Sequence, residues 1–517
     1  MRWIPQSLLR RLYTIGSLKS TPEGFCFNIK NRLAQASITA IHHISINGER
    51  IPPDRLSAIV QQGQPINVAE ISSTHPLAFS MGEKLEVKVD ECLLETGKHQ
   101  LSFSIQTQPF GRLEFTVEDE LHLEEVPEQE RFQIPRRSDH DFHPEAIAER
   151  QQAVEKYTHA ELRYSKSYNF APELLRNNIE NFIGVAQVPL GIAGPVRIRG
   201  EHADGEFLIP LATTEGSLVA SYNRGMKLIN ACGGARCTVT RDGMQRAPAF
   251  VFSNAMSARD FLEWTNKALS QLREIAESTS SYARLQKIET YQLGHQAFLR
   301  FVFSTGDAAG QNMVTRATFE ACQWILENYE GILHFHLEAN MATDKKHSHI
   351  NVLQGRGKSV TAEIRIPAHL LQQHLGCSPA HLYEMYHSSN SGSYLSASSS
   401  NGLQAANALA AMFTATGQDI ANVAESAQSW VQLRMEEEDN LFSSVTLPSL
   451  IIGTYGGGTG LPTQRECLEL MDCYGSGKAL KLAEIIAGVV LAGELSLAAA
   501  IASLDWVPAH ERMGKNR

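Results

Sequence analysis

Four segments of this chain carry side chains of the kinds that move protons or hold charge. In FLIPLATTEGSLVASYNRGMKLI a short apolar run gives way to a Thr-Thr turn and an amphipathic helix, with Glu215 at the first turn of that helix. The helix dipole alone favours an acid there. To act as a general acid, Glu215 needs burial or a like charge to raise its pKa against that dipole. ANMATDKKHSHIN sets Asp344, Lys345 and Lys346 side by side in a non-periodic segment between two strands, and the plainer reading of such a triplet is a solvated loop. Asp419 follows Gly417 at the end of the Ala-rich helix LQAANALAAMFTAT, where an Asp most often caps the next helix. His510 lies in the tail VPAHERMGKNR, and a lone exposed His usually carries no chemistry. Taken singly, each residue has an ordinary explanation.

The glycine-rich runs are a second source of chemistry, because a bare backbone can approach a phosphate. GRGKS at 355–359 invites a phosphate-loop reading, but the Walker pattern needs a glycine where Val352 stands. A turn into the strand SVTAEIRIP is expected instead, and a P-loop NTPase is correspondingly weakened. GTYGGGTG at 453–460 has glycine density without G-x-G-x-x-G spacing, and alone it fits a bare tight loop as well as a ligand-facing one. GDAAGQNM at 306–313 reads as a strand-to-helix turn whose N–H groups suit an anion. No Rossmann fingerprint occurs, so a dinucleotide site must be built another way. HFH at 334–336 and HSH at 347–349 could each face two imidazoles one way on a strand, but neither has a third ligand nearby, and no metal is expected.

Composition bounds the scaffold that must position these residues. The 517 residues allow roughly three to four domains and a large core. Hydrophobic residues at 43% and charged residues at 20% describe an ordinary folded protein, neither disordered nor fibrous. A net charge of −10 and a sequence pI near 6.0 argue against nucleic acid as a partner. The eight cysteines form no C-x-x-C pair, which excludes zinc-ribbon and thioredoxin readings and fits a reduced, cytoplasmic setting. Leu482–Leu504 is the most apolar stretch, but Glu484 and Glu494 leave only nine uncharged residues between them. A span needs about 20, so a buried helix and no membrane are expected. The start, MRWIPQSLLRRLYTIGSLKS, lacks the apolar core of a secretory signal; its Arg-rich, acid-poor composition is also that of a mitochondrial transit peptide.

The texture changes along the chain. ASITAIHHISI, KLEVKVDECLL, HQLSFSIQT and RLEFTVEDE alternate apolar and polar residues between Gly-containing turns, the pattern of an antiparallel sandwich. An acidic, Pro-containing linker follows, VEDELHLEEVPEQERFQIPRR, and from Pro144 to Arg176 the pattern turns helical. From Asn181 onward strand-like runs alternate with Ala/Leu-rich helices in an α/β texture.

Read in order, ENFIGVAQVPLGIAGPV, ATTEGSLVASYNRG, GGARCTVTRDGMQRAP, GDAAGQNM, TDKK…GRGKSV, AANALAAMFTATGQD, GTYGGGTGLP and LAGELSLAAA closely resemble the hydroxymethylglutaryl-CoA (HMG-CoA) reductase family. The resemblance runs from about Asn177 to Lys515, and the TDKK…GRGKS block resembles the branch that generally uses NADPH. It implies an α/β (α+β) multidomain chain in which a large catalytic domain, 181–247 and 348–517, holds an inserted small α+β cofactor domain, 248–337. The lysine-bearing loop would be 338–347, preceded by the linker and helical lead-in 126–180 and the N-terminal β-sandwich 1–125. It implies a homodimer or higher homo-oligomer with a shared active site, an acyl-CoA thioester as substrate and NADPH as cofactor, with NADH as the alternative. Position by position, Glu215, Lys345, Asp419 and His510 fall on the family's catalytic residues. Arg246, Asp344, Lys346 and Asn407 fall on substrate contacts, and Ser221, Asn223 and Arg224 on a CoA-side surface. Asp307, Gly310, Asn312 and Met313 fall on the nicotinamide-cofactor side, with Gly456, Gly457 and Gly458.

The implied activity is the four-electron reduction of HMG-CoA to mevalonate and CoA, on the route to isoprenoids. Two hydride transfers build negative charge on the carbonyl oxygen, which a fixed cation such as Lys345 stabilises. His510 on a mobile tail would protonate the leaving CoA thiolate, while Glu215, coupled to Lys345 and Asp419, supplies a proton to the aldehyde oxygen. The substrate pocket departs from the pattern. Family members usually carry a serine at Glu338 and a histidine at Gln404, and a lysine from the stretch matching YHSSNSGSYLSAS; no lysine occurs here between Lys358 and Lys478. Where NADPH users often place an arginine, this chain has Ser281, with Arg284 as a stand-in. A different 3-hydroxyacyl-CoA lacking the distal carboxylate is therefore the first alternative substrate. A non-catalytic scaffold working through the sandwich is the second alternative.

Overall fold

The computed structural model describes residues 9–32, 35–60, 64–121, 132–137 and 140–504. Period-two patterning becomes an antiparallel sandwich of two five-stranded sheets in residues 19–121. Ala36–Ile46, Lys84–Asp90, Gly97–Gln108 and Gly111–Leu121 are its main strands. Along Gly111–Leu121 burial alternates residue by residue, with Leu113, Phe115 and Val117 turned inward. Those side chains close an aromatic core in which Phe103 lies 4.8 Å from Phe115 and 5.6 Å from Phe27, ring centre to ring centre. Asp119 also faces inward and fastens the start of the chain, accepting from the Tyr13 hydroxyl (2.7 Å) and from the N–H groups of Gly16 and Leu18 (2.8 and 3.1 Å).

The lead-in helix, Pro144–Thr158, ends earlier than its composition suggests, because His159 adopts a left-handed φ of 57°. Beyond it, Tyr168, Phe170 and Phe182 form a small cluster in place of further helix turns.

The larger body that follows is built on a mostly antiparallel sheet. Its strands lie in the order Asp204–Ala212, Leu190–Gly200, Ala235–Arg246, Gly357–Ile366, Leu441–Leu450 and Trp430–Met435, and the second pairs with the third in parallel. The helix Ala479–Ala502 packs on this sheet with most of its residues buried, which accounts for its apolar sequence. Its two acids are internal anchors. Glu484 accepts N–H bonds from Glu201, His202 and Ala203 at 2.6–3.1 Å, and Glu494 from Leu403 and Gln404 at 2.7 and 2.8 Å. Each buried carboxylate thus replaces lost water by backbone donors.

A smaller lobe grows from the end of Ala235–Arg246, whose last three residues pair with Gln296–Ser304. It contains Ala249–Val251, Arg284–Leu293 and His334–His336 as further strands, with the helices Ala255–Lys267, Leu269–Glu277 and Gln311–Asn328 against them. Phe250, Phe252, Phe261, Phe301 and Phe303 fill its core.

Candidate active site

The segment joining the lobes to the sheet carries the lysine. It follows His334–His336 and runs into a short helix, His349–Gln354, so the HSH histidines lie on a loop and a helix rather than on a strand. Three of its non-glycine residues sit in the left-handed region: Asn340 at φ 64°, Thr343 at 60° and Lys345 at 57°. Each costs about 1–3 kcal/mol, so the surroundings must impose the shape. They do so with buried polar groups. The Thr343 hydroxyl donates to Asn351 Oδ1 at 2.7 Å, and the Lys345 N–H donates to Glu425 Oε1 at 3.2 Å. Arg356, fully buried, reaches Glu425 with Nη1 (2.5 Å) and Asp344 with Nη2 (3.0 Å). Gln311, on the first turn of Gln311–Asn328, donates to Asp344 at 2.9 Å and to Asn422 at 3.0 Å. Burial pushes the Glu425 carboxyl up from the ordinary 4.5 to about 7, with Arg356 and the Lys345 N–H opposing it.

Held in this way, the Lys345 ammonium meets Asp419 at 2.9 Å, and both side chains remain near two-fifths exposed, at 43% and 42%. Asp419 also caps the short turn after it, accepting the Ala421 N–H at 3.0 Å, so the ordinary role and the ion pair coexist. Arg246, buried, places Nη1 2.9 Å from Glu338 and 3.6 Å from Asp344. Lys346 is exposed and donates to the Asp344 carbonyl at 2.9 Å.

The residues expected on the cofactor side shape their surroundings through the backbone. Gly310, at φ 84°, starts the helix Gln311–Asn328, leaving Asn312 and Met313 on its first turn. A Cβ on Gly453 would stand 2.7 Å from Ala309 N, and one on Gly417 would stand 2.2 Å from Gly458 O. Only glycine at 453 allows that approach to the turn at 306–310, and only glycine at 417 and 458 lets the turn before Asp419 meet the run Gly456–Gly458. Asp307 is committed elsewhere: its carboxylate accepts from Gly477 (2.7 Å), Lys478 (3.0 Å) and Ala479 (3.0 Å), capping the buried helix. Arg284 folds onto its own turn, donating to the carbonyls of Ala283 and Ser281 at 2.9 and 3.0 Å.

Glu215 does not lie on a helix. The helix Leu218–Ala231 begins three residues later, because Ser217 is left-handed at φ 67°; Glu215 stands exposed in the turn, its N–H bonded to Thr213 Oγ1 at 2.9 Å. Ser221 and Arg224 join that helix to Ser496, with Arg224 donating to its hydroxyl at 3.1 Å and its carbonyl at 2.6 Å. Asn223 accepts the Gly194 N–H at 2.7 Å, and Asn407 is half-buried on the first turn of Ala405–Thr416. GRGKS runs into the strand Gly357–Ile366 and not into a helix, which removes the phosphate-loop reading. His510 lies outside the described residues.

Sequence reasoning missed three members of this network. Arg356 sits inside the rejected GRGKS, and Gln311 inside a motif read for its glycines. Glu425 had one available signal, as the sole charged residue between Asp419 and Arg434.

Known proteins match most of the chain. The family model for hydroxymethylglutaryl-coenzyme A reductase matches residues 146–515, and that for the hydroxymethylglutaryl-CoA reductase N-terminal domain matches residues 8–122. The 3-hydroxy-3-methylglutaryl-coenzyme A reductase of Methanocaldococcus jannaschii is 43% identical over 373 residues, 71% of this chain and 92% of that protein. The Aeropyrum pernix protein of the same name is 47% identical over 350 residues, 66% and 83% of the two chains. Among solved structures, the class II reductase of Streptococcus pneumoniae, bound to NADPH in open conformations, shares the fold at a TM-score of 0.53 and 20% identity, covering 69% of this chain and 95% of that one. On the match to residues 146–515 and these identities, the chain belongs to the hydroxymethylglutaryl-coenzyme A reductase family.

Proposed function

We propose that this chain reduces the thioester of HMG-CoA to mevalonate with release of CoA, using NADPH. The observation that carries the reading is the Lys345–Asp419 pair, 2.9 Å apart and open to solvent, on a loop bent by buried partners. A substrate carbonyl placed against that ammonium has its developing oxyanion met by a preorganised cation. Asp419 orients the ammonium, Glu215 supplies the proton to the aldehyde oxygen and His510 the proton to the thiolate. NADPH, when bound, supplies hydride. The residues that would hold it are the first turn of Gln311–Asn328, with Gly310, Asn312 and Met313, and the run Gly456–Gly458. The fit is supported by the glycine-only approach there and by a helix N-terminus that favours phosphate. In this reading 181–247 and 348–517 hold the substrate, 248–337 the cofactor, and 338–347 the lysine.

The active chain is a homodimer or larger homo-oligomer with a shared site. Supporting this, Leu190, Ile192 and Leu208 leave apolar side chains exposed on neighbouring strands, with Val188 exposed just before them. The eight cysteines are all unpaired, which supports a cytoplasmic setting. The sandwich works as an interaction module, and a cleft of about 880 Å³ on it is lined by Arg10, Arg11 and Arg32.

The test is product identity: purified chain, HMG-CoA and NADPH should yield mevalonate with two cofactors oxidised per CoA thiol released. No mevalonate overturns the reading. One observation favours a second reading, in which the acyl group lacks the distal carboxylate: Glu338 already occupies the Arg246 guanidinium at 2.9 Å. A higher kcat/KM for 3-hydroxybutyryl-CoA than for HMG-CoA, reversed by Glu338→Ser, would establish it.

A further inference from the structure

Glu425 is a buried acid beside the reacting centre that proton transfer and oxyanion stabilisation leave unused. It is 0% exposed, and one carboxylate oxygen takes both the Arg356 guanidinium and the Lys345 N–H. Its other oxygen, Oε2, is buried with no hydrogen-bond partner among the described residues. Leaving a buried carboxylate oxygen unpaired is unfavourable, so the group is placed for what Oε1 holds. What Oε1 holds is the backbone of Lys345, which at φ 57° is in a conformation a lysine rarely adopts unaided. Arg356 adds a second restraint by binding Asp344, the preceding residue, with its other nitrogen at 3.0 Å. The direction in which the ammonium leaves the chain is thereby set from inside the protein.

We propose that Glu425 is a positioning residue for the reaction: by accepting the Lys345 N–H it fixes the left-handed turn that aims the ammonium at Asp419 and at the substrate carbonyl. This rests on the role given to Lys345 above. The competing explanation is that Glu425 only neutralises buried Arg356, in which case stability alone would depend on it.

The conservative variant separates the two. Glutamine keeps an oxygen for the Lys345 N–H but gives up the charge that Arg356 needs, whereas alanine gives up both. Full-length Glu425→Gln, Glu425→Ala and Lys345→Ala are compared for kcat, for KM of HMG-CoA and NADPH, and for thermal midpoint. Glu425→Ala should lower kcat by about 100-fold, the effect of a displacement near 1 Å, with both KM values within about threefold of the parent. Glu425→Gln should recover most of that kcat even where its midpoint falls as far as that of Glu425→Ala. Should Glu425→Ala fail to fold, Glu425→Met, of similar volume and without a comparable acceptor, takes its place. Equal loss of kcat in Glu425→Gln and Glu425→Ala overturns the proposal, as does parental kcat in folded Glu425→Ala while Lys345→Ala is inactive. Parental kcat in Lys345→Ala overturns the role of the lysine itself, and this proposal with it.

Discussion

Gly225→Ala adds one methyl group where two helices touch through their backbones. Gly225 lies on Leu218–Ala231 where that helix crosses Ala479–Ala502, and a Cβ there would stand 1.9 Å from the Ala492 carbonyl oxygen and 2.5 Å from its carbon. Ordinary contact begins near 3.4 Å, so the helices must part by about 1.5 Å. A flexible side chain could swing aside, but a carbonyl inside a helix cannot. The cost therefore falls at or above the upper end of overpacking, about 3 kcal/mol. Displacement along the crossing would also stretch the Arg224–Ser496 bonds, now 2.6 and 3.1 Å, and shift the turn that carries Glu215. Turnover should fall about tenfold or more. Thermal unfolding followed by circular dichroism, with cofactor oxidation measured alongside, reads both effects. Gly392→Ala is the matched control: it is exposed on Pro379–Leu395 with no described residue within 4 Å of the added carbon, and should gain about 0.5–1 kcal/mol through helix propensity. A Gly225→Ala protein that melts and turns over like its parent would refute the helix contact and the transmission argued from it.

Asp307→Ala removes acceptors for three N–H groups at the start of Ala479–Ala502 and should cost about 2 kcal/mol in thermal unfolding; an unchanged midpoint contradicts the cap. Because the Glu425 carboxyl is held near 7 in the fold against an ordinary 4.5, the unfolded chain releases its proton first as pH rises. The parent should therefore lose stability relative to Glu425→Gln between about pH 4.5 and 7. Midpoints of both proteins at pH 5 and pH 8 check this, and a difference that grows in the parent's favour contradicts it. Removing residues 1–125 should leave kcat per site within about twofold, and a tenfold loss would make the sandwich part of the catalytic unit.

Much of the fold was legible because local patterns dictated it. Strict alternation in RLEFTVEDE can bury only one face, and it forms Gly111–Leu121. The two acids in LAEIIAGVVLAGELSLAAA pointed away from a span, and both turn out to hold distant backbone donors. Boundaries were less legible. The helix near Glu215 starts late because Ser217 is left-handed, a backbone state that nothing in ATTEGSLV requires. Asp307 reads locally as part of a glycine turn, yet it caps a helix that begins 172 residues later, and such a partner leaves no local mark. The same holds for Arg356 and Glu425, 69 residues apart in sequence and 2.5 Å apart in the fold. The residues proposed for the chemistry came from the ordered family resemblance, whereas the groups that hold the Lys345 loop in place became visible only with the chain folded.

The most direct measurement compares Lys345→Ala with the parent for stability and for HMG-CoA-dependent NADPH oxidation. Lys345 and Asp419 are both well exposed, so their ion pair contributes less than about 1 kcal/mol and the midpoint should hardly move. If the ammonium carries the oxyanion, kcat should nevertheless fall by at least 100- to 1000-fold. A folded Lys345→Ala protein that still oxidises NADPH at the parental rate would contradict the mechanism at its centre.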